Sequence, residues 1–357
     1  MHPAFSVIFL TTLIGAGQGL FLAIYTEHVY ATFNVVSYEV GAMFPALASF
    51  VALILCVAGL IASVFHLGRP SRAWRSAAMW RTSWLSREVI ALPAFMGVLF
   101  FYAVALYMEW SPVLFHIGTV PVTLTLLIGL AATVLAFTLF ACTGMIYASL
   151  KFLQEWHSPL TLVNYTLMGM ASGFMLATVG AAFYAPELVM FYGIWAVILT
   201  IAALLFRVAS LIRNSRIKPK ATVQSAIGVK HPQIKEKDQG FQGGSFNTRE
   251  FFHHVKPKMF RSIKLFFLLT AFVLPVALLA AGLSLSSAEV LAVAFIVQYI
   301  GLLAERWFFF AQANHPQNLY YQIVGRHRST NIYASLDSDA ERDRRITAVN
   351  RIRRQSP

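Results

Sequence analysis

Apolar residues run along this chain in stretches of about twenty with little polar relief on any face. Eight such stretches are expected as helices, near residues 5 to 26, 41 to 65, 88 to 108, 119 to 148, 159 to 184, 187 to 212, 264 to 284 and 287 to 311. A hydrocarbon core about 30 Å thick takes roughly 20 residues of helix to cross, because an α-helix rises about 1.5 Å per residue. Barrel strands would alternate apolar and polar positions, and these runs do not. The pattern therefore predicts an all-α fold: a polytopic membrane protein built as a bundle of eight transmembrane helices. Residues 1 to 312 form that bundle, with a polar loop at 213 to 263, and residues 313 to 357 form a basic tail ending in ERDRRITAVNRIRRQSP.

Composition agrees with this solvent. Hydrophobic residues make up 58% of the 357, charged residues 12%, and mean hydropathy is +0.65, too apolar for an ordinary water-soluble domain. The first residues, MHPAFSVIFL, lack the basic region of a cleavable signal, so the first run is expected to remain as a helix. The two cysteines, Cys56 and Cys142, each sit inside an apolar run and read as small core residues. GAGQG at Gly15 to Gly19 and GMASG at Gly169 to Gly173 both satisfy G-x-x-x-G, which lets helices approach closely.

Charge sets the expected orientation. Five arginines lie between the second and third runs, one lysine between the fourth and fifth, and twelve basic residues between Arg213 and Lys264. Eight more fall in the tail, and Arg207 and Arg306 sit near helix ends on that same side. The opposite loops carry only Glu27, Glu39, Glu109, Glu187 and Glu289. The positive-inside bias then places both termini and the arginine-rich hairpin in the cytoplasm of a bacterial inner membrane. The basic loop and tail suit either anionic lipid or a soluble subunit; nothing points to nucleic acid.

The candidate chemistry lies in HLGRPSRAWRSAAMWRTSWLSREV, His66 to Val89, which interrupts the oily pattern with a dense polar hairpin. None of the ten histidines pairs with another mid-membrane, so bis-histidine haem is not expected, and no cysteine set offers cluster or metal ligation. His66 ends one helix and Glu88 begins the next, so the hairpin brings both to one membrane boundary. A buried quinone head group needs a hydrogen-bond donor for its carbonyl and a group that exchanges protons, and histidine with a partly buried carboxylate suits both tasks. The alternative for each is a capping or headgroup-facing residue. Arg69 and Arg72 are candidates to stabilise negative charge on a reduced head group. Arg75, Arg81 and Arg87 are candidates to dock a partner, with Trp74, Trp80 and Trp84 in the interfacial belt. Gln18 offers either a hydrogen bond to the ligand or one between helices. Glu305 and Arg306, in LLAERWFFF, are expected to pair with neighbours on their own helix, the alternative being that they belong to the site.

The hairpin, GAGQGLFLA, GMIYASLKFLQEWHSPLT and LLAERWFFF together resemble the DmsC family, the membrane anchors of dimethyl-sulfoxide-reductase-type molybdoenzymes, over most of the chain. The resemblance implies eight crossings, no haem, and a site for menaquinone, ubiquinone or the corresponding quinol. It also implies partners: a four-cluster iron–sulfur subunit and a molybdopterin catalytic subunit, which hold the clusters and the molybdenum. The family's quinone-site histidine and glutamate match His66 and Glu88. The segment Val223 to Phe252 and the inward termini look more like the SoeC-type branch serving cytoplasmic sulfite dehydrogenases, so sulfite oxidation feeding quinone is the expectation. Menaquinol oxidation by an S- or N-oxide reductase in anaerobic respiration is the alternative. A transporter, or an anchor with no quinone site, stands further off, since a transporter would place ionisable residues near the midplane.

Overall fold

The computed structural model describes residues 1–35, 41, 43–231, 233–234 and 246–321. Glu39 and most of the tail lie outside these residues, as does part of the loop at 213 to 263. The described chain forms eight helices long and apolar enough to cross a membrane: α1 Phe5–Thr32, α2 Met43–Val64, α3 Trp84–Tyr107, α4 Leu124–Ala148, α5 Pro159–Tyr184, α6 Val189–Ser215, α7 Pro257–Leu285 and α8 Ala288–Ala311. The chain is thus an all-α, multi-pass membrane protein.

Where helices start is decided by short polar side chains. The hydroxyls of Ser83, Thr123 and Ser287 accept the amides of Ser86, Leu126 and Val290, and Ser158 does the same for Leu160 ahead of Pro159. Each satisfies an amide that the first helical turn would otherwise leave bare. The Ser83 cap starts α3 at Trp84, four residues before the expected 88, which moves Glu88 from the helix mouth into the second turn. α4 starts at 124 rather than 119 because residues Val113–Ile117 and Val120–Thr123 pair as an antiparallel hairpin that turns through Gly118 at φ 62°. Pro121, which carries no amide hydrogen, sits in that hairpin.

Helix α1 also overruns its expected end at 26. Glu27 and His28 fall inside it rather than in a loop: Glu27 is 4% exposed, and His28 Nδ1 lies 2.9 Å from the Tyr102 hydroxyl on α3. No glycine or proline interrupts the stretch from Glu27 to Asn34, and the φ of 55° at Asn34 ends the helix. In α7 the helix widens into a π turn at Leu269–Val273, ahead of Pro275. A proline ring clashes with the carbonyl four residues back, and the extra residue relieves it. The backbone of Thr270 and Ala271 in that turn lies against Gly301 of α8, where a Cβ would meet Ala271 N at 2.2 Å.

α1 is the most buried helix and forms the axis of the bundle. It touches α5 backbone to backbone: a Cβ on Gly19 would stand 2.1 Å from Gly169 O, and one on Gly173 would stand 1.9 Å from Gly19 C. The two G-x-x-x-G stretches are therefore one another's partners. Around this crossing Phe21, Phe95, Tyr102, Phe140 and Phe174 fill the core.

The basic end carries its own cap. The amino terminus donates to Ala311 O and Ala313 O at 3.2 and 2.9 Å, and Trp156 Nε1 donates to Phe309 O at 2.8 Å. Arg213 holds the carbonyls of Gln154 and His157, and Phe251 stacks on His315 with ring centroids 3.9 Å apart. The described parts of the polar loop are thus fastened to the bundle.

Gly173→Ala places a methyl inside the α1 backbone, so it is expected to cost about 3 kcal/mol. A lowered thermal midpoint of the detergent-solubilised protein checks this. Gly97→Ala, where nothing lies within 4 Å of the added Cβ, is expected to leave the midpoint near wild type.

Candidate functional site at the basic boundary

Residues 65 to 83 leave the end of α2, pass through a 3-10 segment at Pro70–Met79 with no buried residue, and enter α3. The hairpin is held by its own cation and ring contacts. Arg87 donates from Nε to Trp80 O at 2.9 Å and from Nη2 to Arg81 O at 2.8 Å, with its guanidinium 4.3 Å over Trp84. Arg75 and Arg81 stack on Trp74 and Trp80 at 5.6 and 5.4 Å. Arg69, Arg72, Arg75 and Arg81 are exposed, and so are Phe65, Trp74 and Trp80. Such a mixture of arginine and uncovered aromatic surface matches the composition of protein interfaces.

Glu88 points the other way, into the bundle. Counted along α3 it lies about 6 Å below the basic end. The Thr143 hydroxyl of α4 donates to its Oε1, and Oε2 makes no hydrogen bond among the described residues. Glu88 acts electrostatically on Cys142, Tyr147 and Tyr165, and Arg306 of α8 acts on the same two tyrosines. The Arg306 guanidinium lies 6.0 Å from the Tyr165 ring and 4.6 Å from that of Phe309. Tyr165 in turn donates to Thr11 O on α1 at 3.2 Å. Beside it a cavity of about 20 Å³ is lined by Thr11, Thr12, Gly15, Tyr165, Ser172 and Arg306. That is room for a water with polar partners.

His66 is placed at the same end but not in the same contact. It is exposed, its amide bonds Ser63 O at 3.3 Å, and its ring makes no hydrogen bond among the described residues. Partial desolvation lowers its pKa from 6.5, which favours the neutral imidazole. Gln18 is not brought to this site. It lies about 20 Å along α1 from the basic end, is fully buried, and gives its amide to Ala136 O at 2.8 Å. It ties α1 to α4 instead.

Glu305 pairs beyond its own helix. Oε1 lies 2.7 Å from Arg207 Nε on α6 and Oε2 lies 2.5 Å from Arg306 Nε, and all three side chains are nearly inaccessible. A same-helix pair was the expectation for Glu305 and Arg306; the additional partner comes from a residue 98 positions earlier in sequence, because α6 packs alongside the α7 and α8 hairpin. Thr143, Tyr147 and Tyr165 are the members of this polar layer that the sequence pattern did not single out, and Arg207 was legible only as a basic residue near a helix end. Of the three, only Tyr147 lies within GMIYASLKFLQEWHSPLT, the stretch that keeps polar residues close to the basic end.

Residues 1–312 match the family model described as DMSO reductase anchor subunit (DmsC). The chain is also 54% identical over 325 residues to a sulfite dehydrogenase subunit of Allochromatium vinosum, covering 91% of this chain and 100% of the relative.

Removing the shared carboxylate leaves two guanidiniums facing one another away from water. Glu305→Leu is therefore expected to destabilise the protein by about 3–5 kcal/mol, whereas Arg207→Met, Glu305→Leu and Arg306→Met together recover most of that loss. Thermal unfolding of the solubilised variants measures both.

Proposed function

The chain belongs to the DMSO reductase anchor subunit (DmsC) family, and from that premise we propose that it anchors a molybdopterin and iron–sulfur oxidoreductase and exchanges electrons between that enzyme and membrane quinone. The relative from Allochromatium vinosum, a sulfite dehydrogenase subunit, supports sulfite as the partner's substrate. The cytoplasmic placement of both termini rests on the one-sided lysine and arginine distribution. The partners in this reading are an iron–sulfur subunit and a molybdopterin catalytic subunit, docked on the exposed arginine and tryptophan surface of residues 65 to 83.

One observation carries the quinone assignment: a carboxylate sunk below the membrane boundary that uses one oxygen on Thr143 and leaves the other unbonded. A structural carboxylate at that depth would be expected to neutralise both oxygens, as Glu305 does. A quinone bound there takes up two electrons and two protons. This chain's contribution is to hold the ring and move the protons. Glu88 exchanges a proton at Oε2 while Thr143 keeps Oε1 fixed. His66, whose neutral form partial desolvation favours, donates one ring N–H and accepts at the other nitrogen. Tyr147 and Tyr165 supply hydroxyls beside the carboxylate, and Arg69 and Arg72 hold positive charge over the same boundary. Proton exchange then opens to the cytoplasm.

Glu88→Gln and His66→Ala are each expected to lower quinone-coupled sulfite turnover of the assembled complex by a factor on the order of 10², with assembly unchanged. Thr143→Val is expected to lower it less. Because partial desolvation lowers the His66 pKa from 6.5, wild-type turnover should fall on the acid side of that value as the imidazole takes up a proton, and His66→Ala should remove that acid limb. Unchanged turnover in both single variants would leave only an anchoring role.

A further inference from the structure

A second cavity is lined by none of the residues grouped around Glu88. It is an apolar cleft of about 450 Å³ between α1, α7 and α8 at the basic end, lined among others by Phe5, Ile8, Met259, Ile263, Leu303 and Trp307. On α7 the lining runs from just before the helix at Val255 down to Phe266, a depth of about 16 Å at 1.5 Å per residue. That equals the hydrocarbon depth of one leaflet, about 15 Å. Its mouth is left uncovered by the protein, with Phe5 68% and Met259 59% exposed.

The rim of this cleft is cationic. From Phe246 to Leu268 the chain carries five lysines and arginines against one glutamate. Lys256 and Lys258 flank the Val255 and Met259 positions, are exposed, and have side chains with no partner among the described residues. Helix α7 starts at the same place with no side-chain cap at Lys256 and with Pro257 in its first turn. The positive end of the helix dipole and its unsatisfied amides therefore face the boundary beside the two ammonium groups. Trp307, at the inner wall, has an indole N–H with no partner among the described residues, which suits the ester level of a bilayer.

We propose that this cleft binds an anionic phospholipid, with an acyl chain along Phe5, Ile8, Met259, Ile263 and Leu303 and its phosphate held by Lys256 and Lys258. A quinone ring fits the lining less well. Its two carbonyls need donors, and among the lining side chains only Trp307 carries one. The bound lipid would seal the seam between α1 and the α7 and α8 hairpin one turn from Arg306, and so stiffen the wall of the polar layer that holds Glu88.

The purified whole complex, stripped of lipid in mild detergent, is titrated with phosphatidylglycerol and with phosphatidylcholine of equal chain length, and bound lipid is counted by native mass spectrometry. Phosphatidylglycerol is expected to bind at least tenfold more tightly. Lys256→Ser with Lys258→Ser is expected to weaken it roughly thirtyfold, each cation contributing about fivefold, and to leave phosphatidylcholine unchanged. Ala304→Phe, which fills the cleft, is expected to weaken both lipids. Equal binding of the two lipids, wild-type phosphatidylglycerol binding by the double variant, retention of both lipids by Ala304→Phe, or stoichiometric displacement of the lipid by decylubiquinone would each overturn the assignment. These readouts do not depend on turnover, so they are separate from the outcome at Glu88.

Discussion

Everything in this bundle hangs on the contact between α1 and α5, where glycine meets glycine and two backbones touch. In lipid no hydrophobic force drives one apolar helix against another, so association depends on close van der Waals fit and on polar side chains that find partners across the gap. Gly19, Gly169 and Gly173 supply the first. The second follows from it, since helices drawn around α1 can reach its carbonyls and offer theirs. Tyr165 bonds Thr11 O, Gln18 bonds Ala136 O and Tyr25 bonds Leu126 O. Gly15 and Gly169 also leave the small space in which Tyr165 and Arg306 face one another. The glycines thus determine where the polar layer lies as well as how tightly the helices pack.

That layer holds two kinds of carboxylate, and the difference between them is informative. Glu305 is clamped by a guanidinium on each oxygen, which is how a charge survives away from water at tolerable cost. Glu88 has one hydroxyl on one oxygen and a cation only at second hand, through the tyrosines that both it and Arg306 influence. A group so lightly held can gain or lose a proton without dismantling its surroundings. Glu305 cannot, because protonating it would strip two arginines of their counter-charge. Depth separates them little; coordination separates them completely.

The eight crossings were legible from run length alone, because a bilayer imposes one length on every helix and the chain must obey it. The glycine stretches were legible as contact sites, although not as each other's partners. Helix ends were less legible. Ser83 capping moved Glu88 a full turn into α3, and the strand pair at 113 to 123 took the place of a helix start, both through local hydrogen bonding that run length does not encode. The partner of Glu305 was invisible because Arg207 is 98 residues away in sequence and stands among apolar neighbours. Thr143 was invisible for another reason: most helical threonines here, such as Thr133 and Thr138, bond back to their own helix, and nothing in the sequence marks the one that reaches across.

The two ends of the molecule divide their labour. The end poor in lysine and arginine is closed by a short strand pair and by α1 running on past Glu27. The other gathers the exposed arginine and tryptophan hairpin, Glu88 with its hydroxyl neighbours, and the lipid-sized cleft. In the proposed role, exchanging electrons and protons with membrane quinone, this arrangement has a physical advantage. A charge carried through the hydrocarbon meets a barrier that only paired or solvated side chains can lower. Exchange at a single rim removes that crossing, since a partner docked on the hairpin stands within reach of the same boundary from which Glu88 is sunk by about one helical turn. The rest of the bundle can then stay apolar, and along α1 below the polar layer Gln18 spends its amide on holding helices together.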